Sequence, residues 1–239
     1  MTAITTAELA IYAVLIIPVI YVLVTHFPHG ILGWFYLQAF CLLRIIAGGM
    51  ALGNNPSALI VANVGLSPLL LAGSGILHEV VSPSGSGVDP KVEWVIVLMF
   101  HLLVVAATAL VASGGSALQS ASPAAGALNK VKAGVGILLL AWVILIVVTA
   151  IASCRRRRQS SRISSSNGAK LLIGVYIALV FIGIRLVYTL AAFTSNNPEL
   201  NPVTGNTAIL VCLSLLPELI ATLSFVTVGL MTRHGHRDM

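Results

Sequence analysis

The chain has 239 residues, of which 58% are hydrophobic and only 8% are charged. Soluble domains carry about 25% charged residues, so this composition excludes an ordinary water-soluble enzyme or binding domain. The formal net charge of +6 does not indicate a nucleic-acid partner, because the basic residues gather in one short loop without interleaved aromatic residues. A mean hydropathy of +1.01 indicates a protein that resides in the bilayer.

Seven apolar segments of about twenty residues follow one another along the chain, and a helix of that length crosses about 30 Å of hydrocarbon. We predict spans at residues 8–26, 32–52, 57–78, 93–113, 133–153, 170–193 and 206–231. The connecting sequences are rich in Pro, Gly, Asn and Ser. The prediction is therefore an all-α, seven-transmembrane-helix bundle that forms one membrane domain over residues 1–239. Because the N-terminus lacks the basic region and cleavage site of a signal peptide, we expect the first span to remain as an anchor.

The basic residues predict the orientation of the bundle. The loops after odd-numbered spans and the C-terminus hold nine of them: Lys91, Arg155, Arg156, Arg157, Arg158, Arg162, Lys170, Arg233 and Arg237. The other side holds only Lys130 and Lys132. Since Lys and Arg are enriched in cytoplasmic loops, the N-terminus is predicted outside and the C-terminus in the cytosol. The result is a multi-pass membrane protein, either in the plasma membrane or in an endomembrane.

Two parts of the chain resemble each other. The second span reads FCLLRIIAGGMALGNNP and the sixth reads FIGIRLVYTLAAFTSNNP, each with an arginine about a dozen residues before an Asn-Asn-Pro turn. The spans that follow carry a proline after a Leu-Ser pair, at Pro68 and at Pro217. This pattern predicts an internal repeat of three helices, one linking helix and three helices.

Three formal charges, Arg44, Arg185 and Glu218, fall inside predicted spans. A charged side chain at the bilayer centre costs roughly 2.5–3.5 kcal/mol on insertion scales, so each needs a partner. The helical rise places all three about 12–18 Å from the same side, so we predict that both arginines meet Glu218. One interpretation is a structural network that locks the bundle. The other is a binding site for an anionic group, because two arginines against one glutamate leave excess positive charge.

Polar residues recur at helical spacing on several spans and predict a polar interior. They are Asn63, Ser67, Ser74 and His78 on the third span, His101 and Thr108 on the fourth, and Thr207, Ser214, Glu218 and Thr222 on the seventh. We therefore add Asn63, Ser67 and His101 to the candidate ligand-binding residues. For single hydroxyls we favour interhelical hydrogen bonds, worth about 0.6 kcal/mol each in membrane helices.

No catalytic signature is present. His78-Glu79 is not followed by a second histidine four residues later, and we find no nucleophile elbow or phosphate-binding loop. We expect no catalytic residue, metal site or cofactor, and enzyme is the weaker class. The residues predicted to be solvated at span ends or in the tail are His26, His29, His234, His236, Glu79, Asp89 and Glu93.

The predicted cytosolic loop 154–169 begins with the sequence CRRRRQSSRISSS. Basic clusters beside a membrane helix attract anionic lipid by about 1 kcal/mol per charge, so membrane lipids are expected partners. Cys154 is a candidate for lipidation, although an unmodified thiol is favoured. Ser160 fits a basophilic kinase pattern, and a loop that only sets topology is the favoured alternative.

The runs HGILGWFYLQAFCLLRIIAGGMAL and NPSALIVANVGLSPLLLAGSGIL resemble a fungal family of seven-span membrane proteins catalogued as a domain of unknown function. Arg185–Tyr188, Asn201–Gly205 and Pro217-Glu218 also resemble it. The resemblance implies an integral seven-helix protein and brings no established activity. In layout the chain is similar to RTA1-like lipid-translocating exporters and to membrane-bound terpene cyclases, and layout alone does not transfer function.

Three functions fit these observations. The leading hypothesis is a non-enzymatic protein that binds or translocates a small amphipathic or anionic molecule in a polar central site. The alternatives are a terpene-cyclase-type membrane enzyme with Glu218 as general acid, and a purely structural scaffold. An open polar cavity favours the first, a closed apolar cavity around Glu218 favours the second, and tight packing around the charges favours the third.

Overall fold

The computed structural model describes residues 2–27, 30–81, 90–120, 125–159, 166–195, 198–200 and 205–232. The helices are α1 Thr2–Thr25, α2 Ile31–Leu52, α3 Ala58–Val64, α4 Leu66–Val81, α5 Pro90–Leu118, α6 Ala127–Gln159, α7 Ser166–Thr194, α8 Thr207–Leu210 and α9 Leu216–Thr232. A 3₁₀ turn covers Pro198–Leu200 and a π-helical turn covers Val211–Leu215. These residues contain no β-strand, which confirms the predicted all-α class.

Seven segments are long and apolar enough to cross a membrane, as predicted. The third joins α3 to α4, and the seventh joins α8, the π turn and α9. We call the side on which α1 begins the N-terminal side, and the opposite side, which holds Arg155, the basic side. The orientation of these sides and the internal repeat stay predictions.

Several helices extend beyond the predicted spans. Part of the connection predicted over residues 154–169 is helical, because α6 continues to Gln159 and α7 begins at Ser166, and the cytosolic position of this connection stays a prediction. Arginine is a good helix former, and cations are stabilising at a helix C-terminus, so the arginine run lengthens α6. Likewise, α1 begins at Thr2 rather than at residue 8, which places Glu8 within the helix.

The third and sixth segments lie at the centre of the bundle. In their most apolar windows 61% of the residues are buried, against 17% for the first and fourth. The two central helices α4 and α7 contact each other, while α1 packs on α2, α5 on α6, and α9 on α7. The outward faces of α1 and α5 carry large apolar side chains, for example Ile17 and Met99, as expected for contact with lipid.

Two spans are interrupted shortly before a proline. The third breaks at Gly65, between α3 and α4, three residues before Pro68. The seventh contains the π turn, which ends two residues before Pro217. Proline lacks an N–H and its ring clashes with the carbonyl four residues earlier, so regular α-helix cannot continue through these points. The interruptions set the direction of the segments that carry Asn63 and Glu218.

Candidate functional site

Glu218 lies between the two intramembrane arginines, as the sequence predicts. The Nε of Arg185 donates to Oε1 of Glu218 at 2.6 Å, and Nη2 of Arg44 forms an ion pair with Oε2. Glu218 is fully buried, and each arginine is only 4% exposed. In this low-dielectric position the attraction between unlike charges is much stronger than in water. The contacts join α2, α7 and α9.

A fourth charge, Glu8 of α1, completes this group. The Nη1 of Arg44 donates to Oε1 of Glu8 at 3.0 Å. We call Glu8, Arg44, Arg185 and Glu218 the central ion cluster. With two formal charges of each sign, it does not have the excess positive charge that the sequence indicated. That inference was wrong because Glu8 stood at the edge of the predicted first span and was not counted.

Neutral groups complete the hydrogen bonding of Arg185. Its Nη1 donates to Oγ1 of Thr189, one turn later in α7, and its Nη2 donates to Oδ1 of Asn63 at 3.4 Å. Asn63 belongs to α3, so the cluster also reaches the third span. Thr222 donates to the backbone carbonyl of Glu218 at 2.8 Å. Arg185 therefore has several partners, which is the condition for tolerating a buried charge away from water.

Small residues allow the cluster helices to approach. Gly48, one turn after Arg44, packs against Leu9 of α1, and a Cβ there would lie 3.1 Å from that leucine. This contact brings Glu8 within reach of Arg44. The rings of Phe40 and Tyr188 lie beside the guanidinium groups of Arg44 and Arg185, at 5.5 and 5.6 Å. Such contacts favour a cation next to an aromatic face.

Ser67 and His101, predicted with the arginines, have other partners. Ser67 accepts a hydrogen bond from Thr108 of α5. The Nδ1 of His101 donates to the carbonyl of Val97 at 2.7 Å, and its ring lies 5.4 Å from that of Tyr36. Of the three polar residues added to the candidate site, only Asn63 therefore contacts a charge of the central ion cluster.

A second buried polar group lies on the basic side, where the sequence predicted solvated side chains. The Nε1 of Trp34 donates to Oε2 of Glu79 at 3.0 Å, and Nε2 of His26 lies 3.9 Å from Oε1. His26 Nε2 also lies 3.1 Å from the hydroxyl of Thr232. We call His26, Trp34, Glu79 and Thr232 the boundary cluster, and it joins α1, α2, α4 and α9.

The predictions for His26 and Glu79 were wrong, since these residues are only 1% and 6% exposed. The sequence predicts a water-exposed span end, whereas α2 and α4 cross closely there and cover the side chains of His26 and Glu79. A Cβ on Gly33 would lie 2.6 Å from the backbone nitrogen of Ile76, so only glycine fits this crossing. His29, His234, His236 and Asp89 lie outside the described residues, and so does the side chain of Glu93.

A cavity with a volume of about 560 Å³ lies between α4, α5 and α6. We call it the lateral groove. It is lined by Ser74, Leu77, His78, Val81, Val95, Ile96, Val97, Met99, Phe100, Leu103, Ile144, Leu145, Val148 and Arg155. Val95, Ile96 and Met99 are more than half exposed, so the groove opens onto the apolar outer surface. Its polar members His78 and Arg155 lie towards the basic side. The sequence contained no signal for it, because it depends on the separation of helices.

A smaller cavity of about 100 Å³ lies nearer the N-terminal side, among α3, α5, α6 and α7. Asn63 and Phe193 are part of its wall. It therefore adjoins the residue that accepts from Arg185. Arg44, Arg185 and Glu218 themselves line neither this cavity nor the lateral groove.

The two predicted modification sites lie at the end of α6. Cys154 is exposed. Ser160 lies outside the described residues. Both modifications stay predictions.

Comparison with known proteins gives a family and no activity. The family described as a domain of unknown function (DUF7702) matches residues 1–235, nearly the whole chain. No curated protein matches the chain. No solved structure matches it. The fungal origin and the layout shared with RTA1-like exporters stay predictions.

Proposed function

The chain belongs to the DUF7702 family, a domain of unknown function, and we propose that it binds an amphipathic molecule drawn from the bilayer into the lateral groove. The volume of about 560 Å³ supports this, because small-molecule pockets range over about 300–1,000 Å³. Such pockets combine apolar walls with a few polar groups that orient the ligand. In the groove, apolar side chains form the walls and Ser74, His78 and Arg155 are the polar groups.

The open side of the groove supports a ligand that arrives from the lipid phase. Val95, Ile96 and Met99 border it and face outwards, where hydrocarbon surrounds a membrane helix. A molecule dissolved in the bilayer can enter the groove from this exposed side without passing through water. The groove is the observation that carries this proposal.

In this proposal the central ion cluster holds helices together and does not bind the ligand. It joins α1, α2, α7 and α9, and through Asn63 it reaches α3. Its formal charges balance, so it has no net charge to attract an anion. Helices α5 and α6, which form two sides of the groove, pack on each other through Gly114 and Gly134. The charges thus hold one part of the bundle, and a separate helix pair borders the ligand.

A second candidate site is the central ion cluster itself. The small cavity beside Asn63 favours it, because a ligand there would approach Arg185. Replacing Arg185 by Gln distinguishes the two candidates. If a ligand that co-purifies with the wild type is lost while thermal stability is unchanged, the cluster is the binding site. If thermal stability falls and the folded fraction retains the ligand, the cluster has a structural role and holds the helices together.

The enzyme alternative, with Glu218 as general acid on an apolar substrate, has less support. Both oxygens of Glu218 are engaged by arginines. The residue lines neither cavity, so a substrate in the lateral groove would not meet it. A proton donor has to lie within hydrogen-bonding reach of the group that it protonates.

Two neighbouring valines of α6 allow a matched test of the groove. Val148 lines it, whereas Val147 is half exposed and is not part of its wall. The purified protein is incubated in lipid nanodiscs with a photoactivatable fatty acid, and labelled peptides are identified by mass spectrometry. We expect Val148→Trp to reduce labelling of α4–α6 peptides several-fold and Val147→Trp to leave it unchanged. Equal labelling of both variants, or uniform labelling of the whole bundle, would contradict groove binding.

A further inference from the structure

We infer that the ligand of the lateral groove is an anionic lipid from the leaflet on the basic side, with an acyl chain in the groove and the headgroup at Arg155. This inference rests on the proposed function. It adds the chemical class of the ligand and its orientation in the groove.

The length of the groove fits a chain from a single leaflet. On α6 its wall runs from Ile144 to Arg155, which is about 16 Å at the helical rise. Half of the hydrocarbon core is about 15 Å thick. The groove is therefore long enough to reach from the bilayer centre to one surface. A lipid lying parallel to the helices would fill it with one chain and place its headgroup at the basic end.

The lining is apolar at depth and basic at the surface. Leu103, Ile144 and Leu145 line the deep end, and Arg155 and His78 line the end near the basic side. An arginine near a membrane helix end extends its charged group to the headgroup level while its stem stays in apolar surroundings. Guanidinium groups bind phosphate oxygens in a bidentate manner. The gradient along the groove thus matches the two parts of a phospholipid.

The sequence at this end carries more positive than negative formal charges, because Lys91, Arg155 and the three arginines after it outnumber Asp89 and Glu93. Arg155 is exposed, and further arginines follow it directly in the sequence. Lys91, at the start of α5 on the same side, is also exposed. None of the described lining residues is acidic. Glu79 follows His78 in α4 but is not part of the groove wall, and its carboxylate accepts from Trp34. These charges favour an anionic headgroup over a zwitterionic one.

Arg155 and Arg156 provide a matched pair for the test. Arg155 lines the groove, whereas Arg156 lies against Gly168 of α7 and is not part of the groove wall. The full chain is reconstituted in nanodiscs that contain trace photoactivatable phosphatidylglycerol or phosphatidylcholine with the same acyl chains. Labelled peptides of α4, α5 and α6 are quantified for the wild type, Arg155→Gln and Arg156→Gln.

We expect the phosphatidylglycerol probe to label the wild-type groove in preference to phosphatidylcholine. Arg155→Gln should reduce that preference about fivefold, the factor expected for one charge near a membrane surface. Arg156→Gln should largely retain it.

Other outcomes would overturn the inference in distinguishable ways. If Val148→Trp abolishes labelling but the wild type shows no headgroup preference, the groove binds lipid and the anionic assignment fails. Equal effects of the two arginine substitutions would indicate attraction by the whole basic surface, and the headgroup position would be wrong. If neither probe labels the groove above other peptides, the proposed function fails together with the inference. A co-purified protein that crosslinks to the groove residues of α4, α5 and α6 and prevents their labelling by lipid would assign the groove to a partner helix and overturn both.

Discussion

The central ion cluster and the boundary cluster both connect α1, α2 and α9. They lie at different depths in the bundle and use different interactions. In the first, Arg44 and Arg185 extend long side chains from separate helices to one carboxylate, Glu218. In the second, the carboxylate of Glu79 accepts from the indole of Trp34, and the helix backbones approach closely at Gly33. Both carboxylates are buried, and among the described residues arginines pair with Glu218, whereas Trp34 and His26 lie at Glu79.

The difference shows how burial depth determines the partners that a carboxylate needs. Glu218 lies within a span, far from water at either end, and the two guanidinium groups compensate its charge. Glu79 lies two residues before the end of α4, where glycine-mediated packing covers it. The ion cluster depends on charge balance, and the boundary cluster depends on close backbone approach. A substitution that removes a charge tests the first dependence, and a substitution that adds a methyl group at the helix crossing tests the second.

The largest effect is expected for Glu218→Gln. The substitution removes the charge between two buried arginines, and breaking a buried ion pair costs about 3–5 kcal/mol. We expect a clear fall in the midpoint of thermal unfolding, measured in detergent by fluorescence-detected size exclusion. Glu218→Gln combined with Arg185→Gln restores equal numbers of the two charges, leaving Arg44 paired with Glu8, and should recover part of the loss. If Glu218→Gln alone unfolds at the same temperature as the wild type, the central ion cluster does not have this structural role.

An intermediate effect is expected for Gly33→Ala, which tests the close approach of α2 and α4. The added methyl group would lie 2.6 Å from a backbone nitrogen of α4, so a backbone has to move. Overpacking of this kind costs about 1–3 kcal/mol. Gly49→Ala in the same helix is the control, because a Cβ there meets nothing within 4 Å. Equal thermal midpoints for the two variants would mean that the crossing tolerates a wider spacing.

The smallest effect is expected for Glu79→Gln, the same change as at Glu218. The amide oxygen can still accept from Trp34, so we expect a cost within about 1 kcal/mol, the size of one hydrogen bond. The emission maximum of the buried tryptophan should stay near the wild-type value. If Glu79→Gln destabilises as much as Glu218→Gln, the boundary cluster also depends on a charge pair that involves Glu79.

Most of the fold could be predicted from the sequence, and the candidate site only in part. The seven spans follow from runs of apolar residues, because hydrocarbon requires each backbone to satisfy its own hydrogen bonds as a helix. The meeting of Arg44, Arg185 and Glu218 followed from their similar depth. Glu8 was missed since it lay at a predicted span edge, although helix α1 in fact starts six residues earlier. Helical periodicity predicted that Ser67 and His101 belong to the same site. Periodicity identifies the face of a helix on which a residue lies, but not the helices that pack against that face.

The sequence by itself therefore determined that this is a seven-helix membrane protein and which mid-span charges must be paired, because an unpaired charge becomes more costly with its depth in hydrocarbon. Only the tertiary structure decided that the charges balance, that His26 and Glu79 are buried, and that α4, α5 and α6 leave a groove between them. Those features depend on how closely helices approach and how they are rotated. Small residues from distant parts of the chain, such as Gly33 and Gly75, set these distances jointly.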